Sequence, residues 1–200
     1  MHHEAQNIAM KFFFKKGYDY FIISSDDIVG KPNYVKLLIE DEEKHGFPVI
    51  SGWITKMKIH GIPVSNITMD KVRNIETPSK VKLGSYNFVP VEDIVKKKYG
   101  YPFFKVWWVG LPLTLIRRDI LKKVPLRPFI IQRDAHCITP ETKKKGRGKG
   151  FDLQFAIDCE AKKIPIMVDA RIHMQNLGRV KKLNLGKNPS VNFTSSKIIL

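Results

Sequence analysis

The chain has 200 residues, 43% of them apolar and 27% charged, with two cysteines and a net charge of +16. That length fits one domain with a substantial core, and the balance excludes a disordered or fibrous chain. No apolar run reaches the ~20 residues that span a bilayer, and the polar amino terminus carries no secretory signal.

The charge predicts attraction to polyanions: nucleic acid, anionic lipid or phosphate-rich substrates. The basic residues are spread along the chain, with denser runs at Lys96–Lys98, Lys143–Lys145 and Lys181-Lys182. Such spread reads as a solvated basic surface rather than one dedicated groove. Cys137 and Cys159 have no metal-type spacing; a reducing, cytoplasmic setting fits them. Met1-His2-His3 reads as the remnant of an expression tag, so those histidines are given no role.

In chain order, residues 4–16 place Ile8, Phe12 and Phe13 on one helix face, with Gly17 as the stop. A strand follows at Tyr20–Ile23, apolar on both faces of the pleat as a buried strand is. It breaks off at Ser24-Ser25-Asp26-Asp27. Pro32 opens a second helix carrying Tyr34, Leu37 and Leu38, which Gly46-Phe47-Pro48 ends. Val49–Ile54 reads as the next strand. Helix, strand, helix, strand predicts an α/β domain with a parallel or mixed sheet.

From 55 to 100 the pattern loosens into an excursion with Gly61, Pro63, Pro78, Gly84 and Pro90. Asn66-Ile67-Thr68 and Asn192-Phe193-Thr194 match the glycosylation sequon and are read as chance. A strand-like stretch over Phe103–Ile116 precedes a short helix opened by Arg117-Arg118-Asp119. Residues 139–150, with three glycines and several cations, predict a mobile basic loop. Phe151–Lys163 returns to helical spacing, and a strand from Pro165 ends near His173. Residues 179–200 form a carboxyl-terminal extension, and no internal repeat divides the chain.

Three polar groups fall at the ends of apolar elements: Asp26 with Asp27, Asp152, and His173. In open α/β sheets ligands collect at the carboxyl ends of strands, where carboxylates can hold a divalent cation and nucleotide phosphates. Each group has a plainer reading. Asp26 and Asp27 also suit a turn, Asp152 suits a helix first turn, and a single histidine suits a satisfied surface.

Together these segments resemble the GT-A fold nucleotide-diphospho-sugar glycosyltransferases, especially the inverting family 2 group. Ala5-Gln6-Asn7-Ile8-Ala9 resembles the Ala-Arg-Asn-x-Ala of the helix before the metal motif. Tyr20–Val29 resembles the strand with the acidic DxD motif. Gly110 to Leu121 resembles the family's glycine, hydrophobic strand and Arg-Arg-x-x-Leu helix. Gly150-Phe151-Asp152-Leu153-Gln154-Phe155 resembles the Glu-Asp-x-x-Phe segment of the catalytic base. Val168–His173 resembles the strand whose histidine completes the metal site. The chain departs from the family in having Ser24 at the first acidic position and Phe151 in place of the glutamate. It also begins past the point where the family's strand-helix-strand nucleoside unit is expected.

The resemblance implies a GT-A-like, Rossmann-related mixed sheet flanked by helices. It implies transfer of a sugar from a UDP- or GDP-sugar to a glycan, lipid or protein hydroxyl, with inversion. Asp152 would be the general base. Asp26, Asp27 and His173 would hold Mn²⁺ or Mg²⁺. Ser24, Ser25, Lys145, Arg147 and Lys149 would bind the donor diphosphate, and Trp107, Trp108 and Gly110 the acceptor. Two other classes stay open: a metal-dependent nuclease or phosphodiesterase, and a non-catalytic polyanion-binding protein on a degenerate transferase fold. The basic surface would also allow weak association with an anionic membrane.

Overall fold

The computed structural model describes residues 2–25, 27–59, 61–71, 87–126 and 151–176. Its elements run α1 (His2–Lys16), β1 (Tyr20–Ser24), β2 (Ile28–Val29), α2 (Tyr34–His45), β3 (Val49–Ile59), β4 (Ile62–Thr68), β5 (Phe88–Pro90), α3 (Val91–Val95), β6 (Phe103–Val106), β7 (Trp108–Val109), β8 (Leu113–Arg117), α4 (Arg118–Lys123), α5 (Phe151–Ala161) and β9 (Ile166–Asn176). The helix over residues 34–45 ends where the sequence predicts, because Gly46 takes the left-handed conformation at φ 67° and donates to the Glu42 carbonyl. The excursion is not structureless: β4, β5 and α3 form there, and β4 folds back on β3.

The sheet is mixed but mostly antiparallel. β8 lies between β1 and β3, antiparallel to both, while β3 pairs in parallel with β9. β4, β5 and β7 extend one side of β3 by antiparallel ladders, and β6 and β2 add antiparallel to β9. The β3–β9 ladder is the one parallel pairing among the described residues. The chain is therefore a single mixed α/β domain in which antiparallel pairing dominates.

Strand alternation sorts the apolar side chains onto two faces. Phe21, Ile23, Val49, Ile116 and Val168 join one core cluster with Phe13 of α1, Ile120 and Leu121 of α4, and Leu153 and Phe155 of α5. Ile22, Ile50, Leu115 and Met167 face the other way, onto Tyr34 and Leu38 of α2. Helices thus cover both faces, which is why the central strands read as apolar throughout. Two buried hydroxyls on neighbouring strands meet each other: Ser51 Oγ and Thr114 Oγ1 lie 2.7 Å apart between β3 and β8.

The β3–β9 ladder contains a large irregularity. Ser51 pairs with Val168, yet Trp53 pairs with His173, so β9 spends five steps where β3 spends two. Gly52 sits at this point, and a Cβ there would lie 2.4 Å from Ile172 Cγ2 and 2.8 Å from its carbonyl oxygen. The extra residues swing Arg171 toward α2. Its Nη2 donates to both Asp41 oxygens at 2.7 Å and to Asp169 Oδ2 at 2.8 Å, and the Asp169 Oδ1 also accepts the Arg171 backbone N–H. Asp41 and Asp169 are both buried, so removing the guanidinium leaves two uncompensated carboxylates, a loss of about 3–5 kcal/mol.

Burial raises the Asp41 carboxyl above the usual range; Arg171 opposes the shift and the Asp169 carboxylate adds to it. A carboxyl raised by folding contributes stability that is fully present below its unfolded pKa of about 3.9 and is lost as pH rises through the folded value. Asp41→Asn lacks that loss. Its stability relative to wild type, from urea midpoints, rises with pH across this window; a pH-independent difference contradicts the arrangement.

Candidate functional site

β1, β3 and β9 point the same way, since β8 is antiparallel to β1 and β3 and β9 is parallel to β3. Their carboxyl ends share one edge of the sheet, bringing together Ser24 and Ser25, Thr55 and Lys56, and His173 to Asn176. β2 pairs with Gln175 and Asn176 and carries Asp27 to the same edge. The Ser25 N–H donates to the Pro112 carbonyl at 3.2 Å, which ties the end of β1 to the β7–β8 connection. Asn66, buried in β4, holds that connection to β3: its Oδ1 accepts the Ile54 N–H at 2.9 Å and its carbonyl the Gly110 N–H at 3.1 Å. This burial closes Asn66 to glycosylation. Gly110 serves close approach, because a Cβ would lie 3.2 Å from Asn66 Nδ2.

Asp27 is exposed, accepting from Ser25 Oγ at 2.6 Å and from Asn176 Nδ2 at 3.3 Å. Ser24 is exposed beside it. His173 has other company: its ring stacks on Trp53 with centroids 4.0 Å apart, and Nε2 meets Thr55 Oγ1 at 3.1 Å. Burial against these groups lowers its pKa, which favours the neutral ring. His173 lies three residues before Asn176, roughly 10 Å along the strand. Asp27 and His173 therefore do not converge, and among the described residues no three of His, Cys, Asp and Glu are grouped to hold a metal. Asp26, Lys145, Arg147 and Lys149 lie outside the described residues.

Asp152 opens α5 with its carboxyl turned inward. Oδ1 accepts the Leu153 N–H at 2.8 Å. Burial raises the carboxyl pKa, opposed by the Leu153 N–H, by the Lys56 charge and by Trp108. Lys56 extends from β3 across the Phe88 ring, Nζ 4.6 Å from its centroid, and lies 5.8 Å from that of Trp108. Burial lowers the Lys56 pKa while Asp152 raises it. The Asp152 carboxyl thus has one fixed donor, the Leu153 N–H, and feels the charge of Lys56, whose ammonium lies over two aromatic rings. Three residues separate Trp108 from Pro112, whose carbonyl accepts the Ser25 N–H at the end of β1.

The two tryptophans divide. Trp108 is buried, so its face is not open to a sugar. Trp107 is half-buried and lines a cavity of about 600 Å³ with Ile164 and Ile166, near the opposite end of β9. Sequence reasoning missed Lys56 because it falls in the loosely patterned excursion, where nothing local ties it to a residue 96 positions later.

No family model matches the sequence, and no curated protein matches it. Among solved structures, the crystal structure of A197 from STIV is similar at a TM-score of 0.47 and 14% identity, over 87% of this chain. The present chain spans 66% of the length of that protein.

Lys56→Met removes the cation that opposes burial at Asp152. The Asp152 titration midpoint, followed by carboxyl ¹³C NMR, therefore moves up relative to wild type. An unchanged midpoint contradicts the coupling.

Proposed function

We propose that the chain is a glycosyltransferase that moves a sugar from a nucleoside-diphosphate donor to an acceptor hydroxyl, with Asp152 as general base. The observation that carries this reading is the Asp152 carboxyl at the start of α5, raised by burial, held by the Leu153 N–H and acted on by the Lys56 charge. A base with a raised pKa lies nearer the working pH, where proton abstraction is most effective. A mixed sheet covered by helices on both faces, with Ser24, Ser25 and Asp27 at its carboxyl edge, supports the GT-A-like arrangement.

In the proposed reaction the acceptor O–H gives its proton to Asp152 as its oxygen bonds the anomeric carbon. The bond from that carbon to the diphosphate oxygen breaks, and the nucleoside diphosphate leaves with the electron pair. The Leu153 N–H orients the carboxylate, and Lys56 favours its ionised form. A base on the face opposite the leaving group implies inversion.

Ser24, Ser25 and Asp27 are the described groups offered to the diphosphate. Lys145, Arg147 and Lys149 enter the proposal through their charge alone. The described donor atoms do not fit a protein-only Mn²⁺ or Mg²⁺ site, so the chemistry derived from this chain runs through Asp152. A second reading, a polyanion-binding protein, is favoured by the net charge of +16. Among the described residues, no helix is long and apolar enough to cross a membrane.

Calorimetric titration of UDP and GDP, with and without Mn²⁺, separates the readings. The transferase reading expects binding to wild type, weakened by Asp26→Ala and retained by Asp152→Asn. Transfer from the matching donor falls about 10²- to 10⁴-fold in Asp152→Asn. Absence of nucleotide binding, together with steeply salt-dependent nucleic-acid binding, transfers the assignment to the second reading.

A further inference from the structure

Among the described residues β1 pairs with β8 alone, and no described strand pairs with its other side. Which groups face that edge follows from the pairing. The Arg118 N–H donates to the Asp19 carbonyl and the Ser25 N–H to the Pro112 carbonyl. With Tyr20 opposite Arg117 and Ser24 opposite Leu113, the odd-numbered residues make the bonds to β8. Tyr20, Ile22 and Ser24 therefore turn their backbone N–H and C=O groups outward. Exposed edges normally carry lysine, proline or a bulge that blocks strand addition. Tyr20-Phe21-Ile22-Ile23-Ser24 has none of these.

The surroundings of this edge are apolar as well. On α1, Ile8 is 68% exposed and Phe12 51%, one helical turn apart. Phe12 touches Tyr18, itself exposed just before β1, with ring centroids 6.2 Å apart. Lys15 and Lys16 form the last turn of α1.

We propose that this edge is a dimer interface, in which β1 pairs antiparallel with β1 of a second copy about a two-fold axis through Ile22. The register is self-complementary. Ile22 faces Ile22 of the partner subunit, and Tyr20 faces Ser24 of the partner subunit on either side of the axis. All three outward-facing residues then form hydrogen-bonded pairs, with both N–H···O=C bonds made in each. A two-fold axis normal to the sheet keeps like faces on the same side. Both α1 helices, packed through Phe13 on Phe21, therefore stand on one face of the joined sheet, where Ile8, Phe12 and Tyr18 supply apolar area. Antiparallel pairing also sets the start of one β1, behind Lys15 and Lys16, against the end of the other. There stands Asp27 of the partner subunit, a charge match that each copy provides once. This local match favours a second copy despite the charge of +16 on each, because charges beyond about 8 Å are screened at physiological salt. The inference is independent of the transferase reading.

Sedimentation velocity over a concentration series, at physiological salt, tests it. Wild type shows concentration-dependent dimerisation, and Phe12→Lys, at an exposed position across the axis, weakens it about tenfold or more. Ile22→Cys supplies a separate check. The Cα atoms of a hydrogen-bonded antiparallel pair lie about 5.5 Å apart, within the range a disulfide spans. Mild oxidation then links Ile22→Cys into a covalent dimer, while Val95→Cys, exposed on α3, forms no more covalent dimer than wild type. A monomer at every concentration overturns the proposal. So does cross-linking no greater than that of Val95→Cys, or a monomer that takes up only an unrelated extended peptide at this edge.

Discussion

The close approach of β3 and β9 at Gly52 governs the rest of the fold. Any side chain at Gly52 would strike Ile172, so the strands meet there only because that position has none. The slack in β9 between Val168 and His173 is taken up by Asp169, Ala170, Arg171 and Ile172. The Arg171 guanidinium then locks the slack in place by binding Asp41 of α2 and Asp169 together. Beyond this point β9 resumes its pairing with β3 and goes on to receive β2. The edge that collects Ser25, Asp27, Thr55 and His173 is thus a downstream result of one missing Cβ and one shared cation.

Burial divides the polar groups of that edge into two kinds. Asp27, Ser24 and Ser25 are exposed and bonded to one another or to nearby polar groups, ready to trade those bonds for a ligand's. Asp152 is turned inward, where an ionised carboxyl is costly unless fixed donors and a cation attend it. The Leu153 N–H is the fixed donor, and the charge of Lys56, lying over the Phe88 and Trp108 rings, opposes the cost of burial.

Much of this was legible in the sequence. The helices at 2–16 and 34–45 follow from apolar spacing and from Gly17 and Gly46, and Tyr20–Ile23 reads as buried because α1 and α2 cover opposite faces of the sheet. Strand direction was not legible. Alternation along Leu113–Arg117 reports two buried faces and says nothing about running against β1 and β3. β4 and β5 were hidden because Pro63 and Pro90 punctuate a stretch whose partners are long-range. The Arg171–Asp41 pair joins residues 130 positions apart and leaves no local pattern. Asp152 was found as a charge at a helix start, whereas its partner Lys56 was not. Trp108, expected to stack on an acceptor, is core instead, the outcome that a strand position with apolar neighbours equally allowed.

On the transferase proposal, the carboxyl ends of β1, β3 and β9 bind a nucleoside diphosphate. Mapping ¹H–¹⁵N shift changes on addition of UDP or GDP tests this binding. Perturbations are expected to concentrate at the backbone amides of Ser24, Ser25 and Asp27 and at the Trp108 indole N–H. Perturbations confined to the Trp107 cavity near the start of β9, or scattered over surface lysines without saturation, contradict it.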